Sequence, residues 1–403
     1  MMRLSFTEAL SKDIPSNYQG VEVCEIISQW LLHHSERENE CRDLLKYILH
    51  KAREMEASDV DLGAPGCANK IWMRVFGNKS PVEELGEFSL IDTNTLIISW
   101  LSPAQRSRLF MQKSLDFPLA FDIGGKEVRF RGTAFFDRNA LGANFRRIND
   151  SLLEMETLGI PEVVANRMNL RYEKTGLVLI TGITGSGKST TLNAIIDMNN
   201  RQNNGHIVSI DSPIEYVHHS KSCLVRHREV GVDVLSFEHG AVEALRQDPD
   251  IIVVGEMRDP QTIATVLEIT DSGHKAFTTL HTSSAIDSVH RIVAEFPTDS
   301  QERVRNRLAD VLTVCMSQKL VPTTDGKLTL AKEILSVDSS VQAAIRNKNI
   351  GEIYQMMVEG KKLGMCTMEQ DLKTLYQKGM ISHQVALNYA NNKKRMQQLM
   401  SVL

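Results

Sequence analysis

Eight consecutive residues, Gly182-Ile183-Thr184-Gly185-Ser186-Gly187-Lys188-Ser189, have the types and spacing needed to hold a triphosphate. The pattern is G-x-x-x-x-G-K-[ST], in which glycines let backbone N–H groups approach phosphate, the lysine reaches the β- and γ-phosphates, and the hydroxyl ligates magnesium. Lys188 and Ser189 take the last two roles, and Thr184, Gly185, Ser186, Gly187 and Thr190 complete the expected cradle. Context supports the chemistry. Apolar Leu177-Val178-Leu179-Ile180 precedes the loop and Thr190-Thr191-Leu192-Asn193-Ala194-Ile195-Ile196 follows it, giving the strand, loop and helix start that phosphate binding requires.

Three further stretches put reactive side chains at strand ends. Asp250-Ile251-Ile252-Val253-Val254-Gly255-Glu256 is an apolar strand closed by a carboxylate, the Walker B arrangement, so Glu256 is expected to hold magnesium or orient water. Ile210-Asp211-Ser212-Pro213-Ile214-Glu215 ends another strand with two carboxylates, either of which could position a water at a γ-phosphate or simply form an acidic turn. His274 and His281 bracket the run Lys275 to Leu280. Their odd separation points them to opposite faces of a strand, which rules out shared ligation of one metal there, and a strand-end histidine suits a γ-phosphate sensor or relay. Upstream, Arg129, Arg131, Arg138, Arg146 and Arg147 cluster in a strand-turn-strand pattern. Alternation places Arg129 and Arg131 on one face, where guanidinium forks meet either phosphate or surface carboxylates.

The elements that must position these groups fall into two patterns. Cys41 to Met55 has helical apolar spacing; Ile71 to Phe76, Phe117 to Ile123 and Val128 to Phe136 read as strands, and Asp92 to Trp100 and Pro103 to Lys113 as helices. Those segments give an α+β N-terminal domain over residues 41–150, after an extension over 1–40 and before a linker over 151–172. From residue 173 to 337, strands expected at 177–181, 206–210, 250–254 and 275–280 alternate with helical stretches, the signature of a parallel sheet with crossover helices. Asp259-Pro260 opens one of those helices and Gly273 follows its end. Residues 338–403 read as helical throughout.

Composition narrows the partners. The 403 residues carry a net charge of −4, with 24% charged and 42% hydrophobic residues, enough for about two to three domains. This balance points away from nucleic acid, whose phosphates call for a basic face. The six cysteines form no C-x-x-C pair, so neither a zinc ribbon nor a disulfide framework is expected. No apolar run approaches the ~18 residues of a spanning helix, and a cytoplasmic protein is expected.

Taken together, these motifs resemble those of the secretion-superfamily ATPases, and among them the pilus retraction ATPases, over about Leu44 to Tyr389. The markers are Ala57-Ser58-Asp59, the arginine strands, the glycine loop, Pro213-Ile214-Glu215, Arg246-Gln247-Asp248-Pro249-Asp250, Val254-Gly255-Glu256-Met257-Arg258-Asp259, Gly273-His274 to Leu280-His281-Thr282, and Ala344-Ile345-Arg346-Asn347. The resemblance implies an α/β protein: a RecA-like P-loop domain, a smaller PAS-like α+β N-terminal domain and a helical C-terminal end. It also implies a homohexamer that uses ATP and magnesium, with Arg129, Arg131, Arg138 and Arg146 completing the nucleotide site. An inner-membrane pilus platform protein and a paralogous ATPase are the implied partners, and the implied location is peripheral to the inner membrane. Asp211-Ser212 stands where the family has Glu-Asp, which makes Asp211 a shorter water-positioning base and slow hydrolysis the expectation.

Overall fold

Alternating residues before position 150 and short apolar runs after position 175 build two different sheets. The computed structural model describes residues 4, 6–75, 77–148 and 152–401. The chain divides into the units Met1–Asp150 and Ser151–Leu403. The expected strand end at Phe76 and the expected domain break at 149–151 lie outside the described residues.

In the first unit, β1 (Ala57–Gly63), β2 (Trp72–Val75), β3 (Asn78–Pro81), β4 (Ser114–Ile123), β5 (Lys126–Asp137) and β6 (Ala140–Arg147) form one antiparallel sheet. Their order is β3-β2-β1-β6-β5-β4. Leu115, Phe117, Leu119 and Phe121 alternate inward along β4 and meet Phe130 and Phe145. Residues 1–40 are not a separate extension: Cys24, Ile27 and Leu31 make an apolar stripe on the helix Val21–His33 and enter the same core as Phe130.

The second unit contains β7 (Gly176–Thr181), β8 (His206–Asp211), β9 (Leu224–Glu229), β10 (Ile251–Val254), β11 (Lys275–Leu280), β12 (Leu312–Pro322) and β13 (Leu328–Ser336), in the order β13-β12-β7-β11-β10-β8-β9. Every neighbouring pair is parallel except β12 with β13. Parallel strands are covered on both faces, and β7, β10 and β11 are buried at every residue. Leu179, Ile210, Val254 and Leu280 pack into one apolar cluster, whereas Ile180, Ile207, Val253 and Phe277 pack into another on the opposite face.

The four expected strands are present within a residue of their expected bounds. The edge strand β9 and the hairpin β12–β13 were not expected, because β9 is polar and half-exposed and β12 is interrupted by Ser317, Gln318 and Lys319. Residues 152–172 carry one short helix, Glu162–Met168, and pack down against the second sheet. Met155, Leu158, Val164 and Met168 are buried against Phe277, and the Lys275 ammonium donates to the carbonyls of Arg167 and Glu173, both at 2.8 Å. The C-terminal helices split in two: Val341, Ile345 and Ile353 join the sheet core, while Met368, Leu372 and Met396 form a small core with Val321 and Ala331. Among the described residues, no helix is long and apolar enough to cross a membrane.

Phe277 is fully buried in a central strand. Phe277→Ala should cost about 3–5 kcal/mol of stability, read as a lower denaturant midpoint at unchanged slope. Leu328→Ala, at a 63% exposed position, should stay within about 0.5 kcal/mol of the parent.

Candidate active site

Parallel pairing brings the ends of β7, β8, β10 and β11 to one edge of the second sheet. There β7 runs into Gly182, β8 ends at Asp211, β10 leads through Gly255 to Glu256, and β11 leads into His281. A ligand crevice at this edge is what an open parallel sheet provides.

The glycine loop is held from below. A Cβ on Gly182 would collide with the Ser186 hydroxyl and the Gln318 carbonyl, so only glycine fits at that position. Gln318, on β12, donates from Nε2 to the Ser186 carbonyl at 2.8 Å. Sequence reasoning missed this residue, since nothing local marks one polar position of a strand as a support for a loop more than a hundred residues away. The buried hydroxyls of Thr181 and Ser186 have no hydrogen-bond partner. Gly187 is the N-cap of the helix Lys188–Gln202 and supplies no side-chain acceptor, which leaves the first amides of that helix for an anion.

Lys188 is 9% exposed and donates to the carbonyls of Gly182 at 2.9 Å and Ile183 at 3.1 Å. Burial lowers its pKa, and the carboxylates of Glu256 and Glu215 pull it back up. Its ammonium also lies 3.4 Å from Nδ1 of His281, whose Nε2 is 2.9 Å from Glu256 Oε1. Those contacts assign the neutral tautomer in which Nδ1 accepts from Lys188 and Nε2–H donates to Glu256. Arg258 completes the chain, with Nη2 at 2.7 Å from Glu256 Oε2. The strand end is pinned by Gly255 N–H on the Ile210 carbonyl at 2.8 Å and by the Thr279 hydroxyl on the Gly255 carbonyl at 2.6 Å. Glu256, Arg258 and His281 face an open cleft of about 610 Å³ that Thr184, Met257, Thr282, Ser283 and Arg291 also line.

The remaining expected residues are distributed unevenly. Asp211 accepts from the Ser209 hydroxyl, with His227 Nδ1 at 4.0 Å; of the two carboxylates in that turn, Glu215 is the one that acts on Lys188. His274 precedes β11 and pairs with the Ser272 hydroxyl at 3.0 Å, so a strand of ~20 Å separates it from His281 and it is not brought to the loop. Arg131 and Arg146 are opposite each other on β5 and β6, paired with Asp116 and Asp59 at 2.9 Å each. Arg138 sits in the hairpin turn with φ +50°, and Arg129 is two residues along β5 from Arg131. All four belong to the first unit, and the glycine loop to the second.

A donor set of uncapped amides, a buried ammonium and a serine hydroxyl fits a polyphosphate, and the hydroxyl of Ser189 with the Glu256 carboxylate supplies the oxygen ligands a magnesium ion takes. Both oxygens of Glu256 are already engaged, so the carboxylate would reach such an ion through water.

The family model described as type II/IV secretion system protein matches residues 38–402. A twitching motility protein of Neisseria gonorrhoeae is 38% identical over 325 residues, covering 80% of this chain and 85% of its own length. The type IV pilus retraction ATPase PilT of Pseudomonas aeruginosa is 41% identical over 281 residues, covering 70% and 80%. Among solved structures, the pilus retraction motor PilT with bound ADP superposes at a TM-score of 0.79 with 36% identity, covering 87% of this chain and 98% of that one.

Lys188→Ala should reduce ATP turnover at least about a hundredfold, measured as phosphate release by the purified full chain. Burial and the nearby Lys188 charge lower the pKa of His281 against the pull of Glu256. Protonation would turn Nδ1 into a donor facing an ammonium, so the acid limb that His281 sets in the rate profile should lie below the usual imidazole midpoint of ~6.5. His281→Ala should remove that acid limb from the rate profile.

Proposed function

The chain belongs to the type II/IV secretion system protein family and is an ATPase, and from that premise we propose that it is a homohexameric motor that spends ATP on retracting a type IV pilus. The observation that supports this reading most strongly is the unbroken contact chain from Lys188 through His281 to Glu256 and Arg258, closed around an uncapped helix start. Lys188 and the helix amides bind the β- and γ-phosphates as a fixed positive cradle. Ser189 and Glu256 would hold magnesium, which would supply charge neutralisation to the leaving phosphate. Glu256 orients the attacking water, and His281 reports the presence of the γ-phosphate to the lysine and carboxylate it joins. Asp211, at the end of β8, is the water-positioning base, Glu215 in the turn after it is the other carboxylate of that stretch, and His274 couples at the far end of β11. Arg129, Arg131, Arg138 and Arg146 neutralise nucleotide phosphate in the assembled ring.

Retraction over assembly is supported by the C-terminal helix Ser339–Arg346. Ala344 and Ile345 are buried in the sheet core, whereas Arg346 reaches out to pair with Asp310. In this reading the motor works on pilin through an inner-membrane platform protein, from the cytoplasmic side. One observation favours a second reading, a weakly hydrolysing partner of an active paralogue: the short Asp211 side chain is engaged with Ser209 instead of the lysine.

Pili imaged on cells lacking the protein should be abundant and unretracted; a bald surface would overturn retraction in favour of assembly. Arg346→Ala should leave turnover within about twofold of the parent and abolish retraction. If wild type and Lys188→Ala hydrolyse ATP at the same background rate, the motor reading fails and the regulatory one stands.

A further inference from the structure

Glu333 lies on β13 at 2% exposure and is no part of the cleft described above. Its Oε1 accepts the backbone N–H of Ala285 at 2.8 Å, and the backbone amide of Met368 lies near enough to lower its pKa. Ala285 and Met368 are the first residues of two helices, Ala285–Ala294 and Met368–Gln377. One buried carboxylate therefore bonds one helix start and lies close to a second, and the dipoles of both favour negative charge.

The two helices have different neighbours. The first follows directly from His281, Thr282 and Ser283 at the cleft, and its Arg291 donates to the His281 carbonyl at 2.8 Å. The second belongs to the C-terminal set, where Glu369 accepts from the Asn392 amide at 2.7 Å and from the Tyr354 hydroxyl at 3.1 Å. Asn391 joins them, with Nδ2 at 3.4 Å from the Ser283 carbonyl and 3.5 Å from Glu333 Oε2.

We propose that Glu333 is a positioning residue for ATP cleavage, fixing the His281–Ser284 turn against Glu256 and tying its place to the C-terminal helices. It acts through the Ala285 amide and touches no nucleotide. The proposal rests on the reading that His281 and Glu256 work on the triphosphate. Burial pushes the Glu333 carboxyl up to about 7, the Glu369 carboxylate adds to this, and the two amides and Asn391 oppose it. The other groups facing it are Lys319, which donates to the Tyr389 carbonyl at 2.8 Å, and the thiols of Cys315 and Cys366, both pushed up to about 12 and neutral at working pH. Protonation weakens Glu333 as an acceptor, so its hold on the Ala285 amide loosens as pH falls through about 7, above the acid limb assigned to His281.

Glu333→Gln in the full chain tests this. It keeps one acceptor oxygen but places a donor where the carboxylate faced the Asn391 side-chain amide. Its kcat should fall about tenfold with KM for ATP within about twofold. The near-neutral inflection of the wild-type rate profile should vanish while the lower limb stays, and amide exchange should rise selectively at the starts of the two helices. A lowered melting temperature with unchanged kcat, or a raised KM at unchanged kcat, would overturn the proposal. Should Glu333→Gln not fold, Asn391→Ala decides: a smaller fall in kcat at constant KM supports the link, and an unchanged kcat refutes it. If hydrolysis proves independent of Lys188, the reading of the cleft fails instead, and selective exchange at the two helix starts alone decides whether Glu333 links them.

Discussion

A lysine ammonium at 9% exposure, next to the positive end of a helix, is the constraint from which the ATPase unit follows. Removing that charge from water is unfavourable, and two loop carbonyls with the carboxylates of Glu256 and Glu215 offset only part of the loss. The amides ahead of it have no side-chain acceptor. A polyanion satisfies lysine and amides together, so nucleotide binding completes an arrangement that the fold leaves electrostatically positive. The same logic explains His281: a neutral imidazole between an ammonium and a carboxylate accepts from one and donates to the other, and any change at the γ-phosphate reaches both.

Parallel topology makes this convergence possible. Because β7, β8, β10 and β11 all run the same way, their ends deliver the glycine loop, Asp211, Glu256 and His281 to a single edge. Their apolar runs are covered on both faces, so each strand end is fixed by core packing and by backbone hydrogen bonds such as Gly255 on Ile210. The antiparallel sheet of the first unit does something different. It sets Arg131 beside Arg146 across β5 and β6 and pairs each with an aspartate, which keeps the guanidinium groups oriented on one face.

Much of this was legible from local pattern. The loop, the Walker B strand, the cap Asp259 with Pro260 at the first helical position, and four central strands all follow from residues within a dozen positions of one another. The departures share a cause. His274 and His281 look equivalent as a pair flanking a strand, yet only the end that faces the loop is near it, and strand direction belongs to the sheet. Residues 1–40 and 151–172 read as extension and linker because nothing nearby in the sequence offers their apolar positions a partner, but Ile27, Leu31, Val164 and Met168 find cores made by distant segments.

Sequence by itself determined the chemistry: a phosphate cradle needs glycines, a lysine and a hydroxyl at fixed spacing, and that spacing is covalent. Tertiary structure alone decided which side chains share the cleft. Gln318 beneath the loop, Glu215 in preference to Asp211 acting on the lysine charge, and Glu333 on the Ala285 amide all depend on the approach of segments far apart in the chain. Such contacts are set by sheet order and core packing, which no local spacing encodes.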